Sequence, residues 1–457
     1  MAGFWTMVPT GCANIIPPSG GPRDTIPPQL LTAVPHDSTL NFNARRITFT
    51  FDEYVDLQDV QNNLLFTPTF EINPEVAVRG KNVTVRFRDS LSPNTTYILN
   101  FGNAIRDVNE ANALRNFTYV FSTGSVLDSL TLTGRVVLAE NGKTDSTLIV
   151  MLHQNLSDSA VIKERPMYVA RVDAAGNFRF RNLPRDTFAI YALGDAGVVR
   201  RYQNRSQQAF AFANAPVVPG DTSNLTLYAY KEQPAGQTTA AGLPPVPAGK
   251  APAAAERRLR FTLPSGAVDL KGDYVLTFPT PLRRFDSSLV SLSTDTLFTP
   301  VPFTSFLDTS RTLLHIRSQW QEGGAYNLIL GQKFAEDTAG RQLLKTDTLN
   351  FSTKRLSDYG QLQLTIRNID TAAGRPVLQF VQNGQVVLSA PVPGGVYSSK
   401  LFTPGEYELR ILYDKNGNGK WDPGQFFGQK RQPEIVRPAR QNITVKAAWE
   451  NEFERSL

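Results

Sequence analysis

No disulfide can form within this chain, because its 457 residues contain a single cysteine, Cys12. That excludes the disulfide framework on which small secreted domains rely. Charge is sparse as well. Only 19% of residues are charged, and the arginines are spread along the chain without a long basic run. The net charge of +6 is therefore read as solubility, with no nucleic acid expected as a partner. The three histidines, His36, His153 and His315, stand far apart and form no His-x-x-x-His pair. There is no Gly-x-Ser-x-Gly elbow, no phosphate-cradling glycine loop and no cysteine-based zinc pattern, so hydrolase and nucleotide chemistry lack carriers. Helical periodicity is also missing: no window of about 18 residues keeps apolar residues at helical spacing. No segment beyond the leader is long and apolar enough to cross a membrane as a helix.

What is abundant is proline (31), glycine (32) and phenylalanine (28), the composition of short strands joined by tight turns. A chain of this length exceeds one core and fits three or four domains of about 100–150 residues. Residues 94–123 recur in worn form at 325–353: Tyr97 answers to Tyr326, Asp107 to Asp337, and Phe121-Ser122-Thr123 to Phe351-Ser352-Thr353. A repeat at this distance duplicates a unit larger than a hairpin. Strict alternation places Ile47, Phe49 and Phe51, then Val83, Val85 and Phe87, on the inner faces of strands. Phe402–Tyr407 likewise stands where Leu183–Phe188 stood. The expected fold is all-β, a tandem array of β-sandwiches of two kinds, each repeated. The plan is a leader and tether (1–28), domain A (29–124), domain B (125–230), a Pro/Ala/Gly linker (231–256), domain A′ (257–354) and domain B′ (355–457).

The leader MAGFWTMVPTG is apolar and ends in small residues before Cys12, and residues 13–28 are too rich in proline and glycine to pack. Two readings follow: Cys12 is a lipidated N-terminus on a tether, or an inert thiol in a loose leader. Cys12 followed by Pro17-Pro18-Ser19-Gly20-Gly21-Pro22-Arg23-Asp24-Thr25 and Pro27-Pro28 resembles the start of a family of Bacteroidota lipoproteins. So do Phe51–Val55 and the segment 94–112. The first domain of that family is a bacterial immunoglobulin-like domain of the S-layer type. Gly134, Asp173, Gly176, Phe178 and Leu183 make domain B similar to a transthyretin-like or carboxypeptidase-regulatory sandwich. The resemblance implies a non-enzymatic outer-membrane lipoprotein, lipid-anchored at Cys12. It would act as a scaffold or accessory binding subunit, as of an outer-membrane protein assembly complex. Its partner would be another envelope protein, with both the periplasmic and the cell-surface face open.

The sharpest local motif is 414–422, DKNGNGKWD. Asp414, Asn416, Asn418, Lys420 and Asp422 occupy the alternate positions of a calcium loop, with glycine at the sixth place for the sharp turn. Position 12 is Gln425, so the bidentate carboxylate is missing. Any Ca²⁺ would be weak and structural, in the ~10⁻⁴–10⁻³ M range. The competing reading is a hairpin whose Asn-Gly pairs supply positive φ. The equivalent place in the first half, Gly194-Asp195-Ala196-Gly197, carries no such set, and no ion is expected there. Just beyond the loop, the adjacent Phe426 and Phe427 cannot both face one core, and with Trp421 they form the expected contact surface for a partner. In an alternative reading, a carbohydrate-binding adhesin, Trp421 and Phe426 stack on sugar.

Other clusters favour structural roles. Asp52 and Glu53 would point to opposite faces of a strand, so with Asp56 and Asp59 they read as a solvated strand end rather than a catalytic pair. Arg106, Asp107, Asn109, Glu110 and Asn112 read as a loop that closes its own backbone hydrogen bonds. Asp-Ser and Asp-Thr pairs, such as Asp37-Ser38, Asp158-Ser159, Asp295-Thr296 and Asp347-Thr348, are either turn residues or acceptors for O-glycosylation.

Overall fold

The computed structural model describes residues 23–194, 200–204, 206–221, 225–232, 258–294 and 297–457. They form short strands whose inner residues alternate with polar ones. Two compact units result: unit 1, Met1–Ala235 with Asp422–Pro433, and unit 2, Gly236–Trp421 with Glu434–Leu457.

Unit 1 begins with the strands of domain A: β1 (Leu30–Val34), β2 (Arg46–Phe51), β3 (Val55–Leu57), β4 (Leu65–Thr67) and β5 (Glu75–Arg79). They continue with β6 (Asn82–Arg86), β7 (Thr96–Gly102), β8 (Ile105–Asp107) and β9 (Phe117–Ser122). One sheet runs β1-β2-β6-β5, a second β4-β7-β9, and a ribbon pairs β3 with β8. Ile47, Phe49, Phe51, Val83 and Val85 are fully buried between them, as the alternation requires. The core is aromatic: Phe42, Phe87, Tyr97, Phe101, Tyr119 and Phe121 pack in edge-to-face, tilted or stacked pairs.

Domain B follows with β10 (Leu130–Leu138), β11 (Leu148–His153), β12 (Tyr168–Arg171), β13 (Asn177–Leu183), β14 (Ala189–Gly194), β15 (Phe210–Phe212) and β16 (Leu225–Ala229). Its sheets are β13-β10-β16, with β10 and β16 parallel, and β12-β11-β14-β15. Gly134 is required at the centre of β10. A Cβ there would come within 2.4 Å of the Leu225 carbonyl oxygen and 2.6 Å of the Phe178 ring.

Unit 2 repeats both plans. Domain A′ has β17 (Tyr274–Thr277), β18 (Leu282–Phe285), β19 (Val290–Thr294), β20 (Thr299–Pro300), β21 (Phe303–Leu307) and β22 (Leu313–Ser318). It ends with β23 (Ala325–Leu330), β24 (Ala335–Asp337) and β25 (Asp347–Ser352). Its ribbon β18-β24 stands for β3-β8, and its sheet β20-β19-β23-β25 for β4-β7-β9. Domain B′ has β26 (Gly360–Arg367), β27 (Arg375–Gln382), β28 (Gln385–Pro391) and β29 (Val396–Phe402). It closes with β30 (Gly405–Asp414), β31 (Ile435–Pro438), β32 (Ile443–Val445) and β33 (Glu450–Ser456). Its sheet β29-β26-β33 has the same parallel pairing to the last strand as β13-β10-β16. Each of the four domains holds its own apolar cluster. The fold is all-β, a tandem array of sandwiches.

Candidate functional site

The duplicated segment shows what its polar residues do. After β8 the chain must reverse, and the loop leaves backbone N–H groups without sheet partners. Asp107 gathers them: Oδ1 accepts from Glu110 N at 2.6 Å and Ala111 N at 3.1 Å, and Oδ2 from Asn112 N at 2.7 Å. Asp337 does the same after β24. Its Oδ1 accepts from Ala339 N and Arg341 N, each at 2.9 Å, and its Oδ2 from the Arg341 guanidinium at 2.7 Å and the Thr280 hydroxyl at 3.1 Å. Burial alone would raise both carboxyls. The backbone N–H groups, and at Asp337 also Arg341 and Thr280, outweigh it and hold both below the usual carboxylate range.

The companions are duplicated in the same geometry. Tyr97 Oη accepts from Ser92 N and Tyr326 Oη from Gln321 N, both at 2.8 Å. The hydroxyls of Thr123 and Thr353 accept from Thr95 N and Gly324 N, both at 2.9 Å. They donate in turn to the carbonyls of Ser92 at 2.7 Å and Gln321 at 2.5 Å. These are loop closures, and Asp107 lies close enough to Glu53 for its charge to push Glu53 up. Asn112 also donates to the carbonyls of Asp24 at 3.0 Å and Ile26 at 3.3 Å. The last part of the stretch expected not to pack is thus fastened to this loop.

The Asp414 loop follows the same rule. Asp414 is 1% exposed at the end of β30, with Oδ1 accepting from Gly417 N at 2.6 Å and Oδ2 from Gly419 N at 2.7 Å. Asn416 Oδ1 accepts from Asn418 N, and Asn418 Oδ1 from Lys420 N, at 3.0 and 2.7 Å. Gly417 and Gly419 have φ of +79° and +73°, which L side chains rarely adopt. Lys415 N donates to the buried Glu434 carboxylate at 2.7 Å. Asp422 opens the segment grouped with unit 1. Among the described residues, no three His, Cys, Asp or Glu side chains come together as a metal-holding group.

The aromatic tip needs correction as an open contact surface. Trp421 is half-buried against Val377, Leu412 and Val436, and its Nε1 donates to the Glu434 carbonyl at 2.8 Å. Phe426 is 2% exposed within unit 1, with ring centroids 4.9 Å from Phe212, 5.2 Å from Phe210 and 5.6 Å from Tyr191. Phe427 is half-buried and stacks on Tyr202 at 6.2 Å. Gln432 donates to the Phe212 carbonyl at 2.9 Å, and Lys430 pairs with Asp158 at 2.7 Å. Both phenylalanines pack on the stacked Tyr202–Phe210 pair rather than dividing between two faces, and the surface that Phe426 meets belongs to its own chain. The physical reason is the edge strand β15, whose Phe210 and Phe212 offer an apolar platform that 422–433 covers.

Other candidates fall where their chemistry is quiet. Asp52 Oδ1 caps Gln29 N at 2.8 Å, while burial and the charges of Asp107, Asp52, Asp24 and Glu110 push Glu53 up. His153 is buried at the end of β11 against Tyr191, and burial pushes it down to about 4. His315 stacks on Phe306 beside Asp273, which also holds Arg317. Cys12, most of the linker, Asp195–Gly197 and Asp295-Thr296 lie outside the described residues. One grouping went unread in the sequence: Arg135, Arg171, Arg179 and Arg181 gather along a single groove of unit 1. The alternation Phe178-Arg179-Phe180-Arg181 carried the signal.

Residues 24–123 match the bacterial Ig-like domain family. The match begins within the stretch that Asn112 fastens to the first domain. Solved structures show distant likeness. The Bacillus anthracis TIE protein has 10% identity over 96% of this chain and 76% of its own, with a TM-score of 0.17. The N-terminal part of the bacterial S-layer protein SbsC has 16% identity over 45% of this chain and 44% of its own, also at 0.17. BcpA, the major pilin subunit of Bacillus cereus, has 10% identity over 72% of this chain and 99% of its own, at 0.16. No curated protein matches the chain. No helix among the described residues is long and apolar enough to cross a membrane.

Proposed function

We propose that the chain is a non-enzymatic envelope lipoprotein, held at the outer membrane by a lipid on Cys12. Its sandwiches serve as a scaffold or accessory binding subunit for an envelope protein, such as an outer-membrane protein assembly complex. The observation that carries the non-enzymatic reading is the use of the buried carboxylates. Asp107, Asp337 and Asp414 all bind backbone N–H groups of their own loops, which stiffens the loops and commits these oxygens to structure. The Ig-like match over 24–123 supports a structural or binding role. The string from Cys12 to Pro28 supports the anchor. A sugar-stacking adhesin built on Trp421 and Phe426 is not favoured, since Phe426 is 2% exposed and Trp421 is half-buried.

The test is cross-linked capture from envelopes of cells making the full chain with Cys12 intact or as Cys12→Ser. The expected result is outer-membrane fractionation with a stoichiometric integral partner, both lost in the Ser variant. If both forms are soluble and come down alone, the proposal fails.

A further inference from the structure

Within unit 1 a groove of about 1160 Å³ is lined by β4, β7 and β9 of domain A and by β10, β13 and β16 of domain B together with β12, the edge of domain B's other sheet, which carries Arg171. Its two walls differ in chemistry. The domain A wall carries Asn100, Asn116 and Thr118 among aliphatic side chains and no charged group. The domain B wall carries Arg135, Arg171, Arg179 and Arg181, all exposed.

Strand periodicity explains that wall. Phe178 and Phe180 point into the core of domain B while Arg179 and Arg181 are exposed, and a bulge at Arg181 and Asn182 (φ +51°) shifts the register of β13 against β10. Thr133 lies opposite Arg179 and Arg135 opposite Asn177, so Arg135 is the diagonal neighbour of Arg179. Among the described residues Arg135, Arg179 and Arg181 join no salt bridge. Arg135 donates Nε–H to the Ala175 carbonyl at 3.2 Å. The one carboxylate on the lining, Asp173, is engaged by its own turn, accepting from Asn177 N at 2.8 Å and Asn177 Nδ2 at 3.3 Å. Asp59 of domain A acts on Arg171. Like charges this close repel one another, and an anion laid along them would relieve that repulsion.

The groove is also held open. Thr69 N donates to the Met167 carbonyl at 2.9 Å, and Arg165 to the carbonyls of Phe70 and Glu71, each at 3.0 Å. Asp128 N donates to the Thr96 hydroxyl at 2.9 Å, and Asn182 to the Asp128 carbonyl at 2.8 Å. Register places all of these at one end, since Thr96 begins β7 and Thr67 pairs with Ile98. The far end of the lining lies between Gly102 and Arg135.

The occupant follows from what the walls offer. Guanidinium forks in a row take carboxylate or phosphate groups bidentately, and the facing amides and hydroxyls can bond sugar hydroxyls. Single-stranded nucleic acid needs aromatic platforms for its bases, and the groove exposes none. An acidic peptide would bring carboxylates to the arginines but not the closely spaced hydroxyls that Asn100, Asn116 and Thr118 can bond. We propose that the groove binds a linear acidic glycan along the Arg179–Arg181 row. The inference goes beyond the lipoprotein reading and does not depend on it.

The test is interferometry on the purified full chain with four probes: polygalacturonate, a phosphodiester-linked glycan, dextran and polyglutamate. An acidic glycan should bind and dextran should not, and whichever acidic glycan binds more tightly identifies the anion. Arg179→Ser with Arg181→Ser should weaken binding by about tenfold or more, with an unchanged thermal melt because both side chains are exposed. Replacing both by Lys keeps the charge, loses the fork and should fall between. Arg46→Ser with Arg86→Ser removes the same charge from a cross-strand pair elsewhere in unit 1, and should change binding by less than about twofold. The proposal is overturned by no binding to either acidic glycan, by equal loss in the Arg46/Arg86 control, or by polyglutamate binding as tightly as glycan.

Discussion

The loops after β8 and β24 hold the same aspartate at the same place, yet Asp107 is held by backbone N–H groups alone while Asp337 also binds a guanidinium and a hydroxyl. Two copies of one device therefore reach the same geometry with different partners. What both keep is an ionised oxygen pair facing N–H groups that no strand can satisfy. What differs is whether a cation shares the pocket, and that decides what removing the carboxylate leaves behind. Asp107→Ala orphans backbone donors. Asp337→Ala orphans donors and an arginine that is only partly exposed.

The largest expected effect separates the two. Asp337→Ala should cost domain A′ about 3 kcal/mol and Asp107→Ala should cost domain A about 2 kcal/mol. Because the chain has several cores, the measurement is hydrogen exchange by peptide rather than one melting curve. Asp337→Ala should lose protection over Ala325–Ser352 and Asp107→Ala over Thr96–Ser122. Equal losses in the two domains would mean that Arg341 adds nothing to its loop.

Next comes pH. Both carboxyls are held below their unfolded value of about 3.9, so the unfolded chain binds more protons in acid. Their stabilisation is complete above that value and is lost as pH falls through the folded one. His153 titrates in a separate window. Buried and held down to about 4, it loses its contribution as pH falls from about 6.5 towards 4. Because His153 belongs to domain B, its limb should appear in that domain, while protection of β9 and β25 should decline only below about pH 4, and Asp→Asn at 107 or 337 should flatten that decline in its own domain. A decline that persists in both Asn variants would assign the acid limb to other groups.

A smaller effect tests the companions. Tyr97→Phe and Tyr326→Phe each remove one acceptor from a backbone N–H while keeping the ring stacked on Phe121 or Phe351. Each should cost about 1 kcal/mol, and the two costs should match, because here the partners are alike. A difference of about 1 kcal/mol or more would show that the duplication is only skin-deep.

These corners were legible because their backbone partners and companion residues lie within about 30 residues of chain, although Thr280 stands 57 residues before Asp337, and short spacings survive divergence as pattern. Strand faces were legible for the same reason: Ile47, Phe49 and Phe51 announce their burial by alternation alone. Phe426 was only half legible. Two adjacent phenylalanines implied one with an outside partner, but Glu232, whose carboxylate its N–H meets, is 194 residues away in sequence. The arginine row was missed for a related reason. Arg179 and Arg181 show their shared face locally, while Arg135 joins them only through the register of β10 with β13, and the neutral wall belongs to another domain. Composition averages such a row away, since 47 basic residues spread over the chain look uniform until sheets stack them.

The smallest expected effect asks whether the Asp414 loop belongs with the two corners. A calcium loop and a self-closed turn share Asp, Asn and Gly, because both need short acceptors and positive φ. They differ in where the first aspartate aims. Asp414 has one oxygen on Gly417 N and the other on Gly419 N, the same use as at Asp107, and Asn416 and Asn418 each accept from the N–H two residues on. A loop so closed has little to gain from an ion. Millimolar Ca²⁺ against chelator should shift the melting of domain B′ by less than about 1 °C, whereas Asp414→Ala should destabilise it by about 2 kcal/mol in either condition. A rise of several degrees in Ca²⁺ that disappears in Asp414→Ala would move this loop out of the corner class. The alternate oxygens at 414, 416 and 418 would then be ligands first and turn acceptors second.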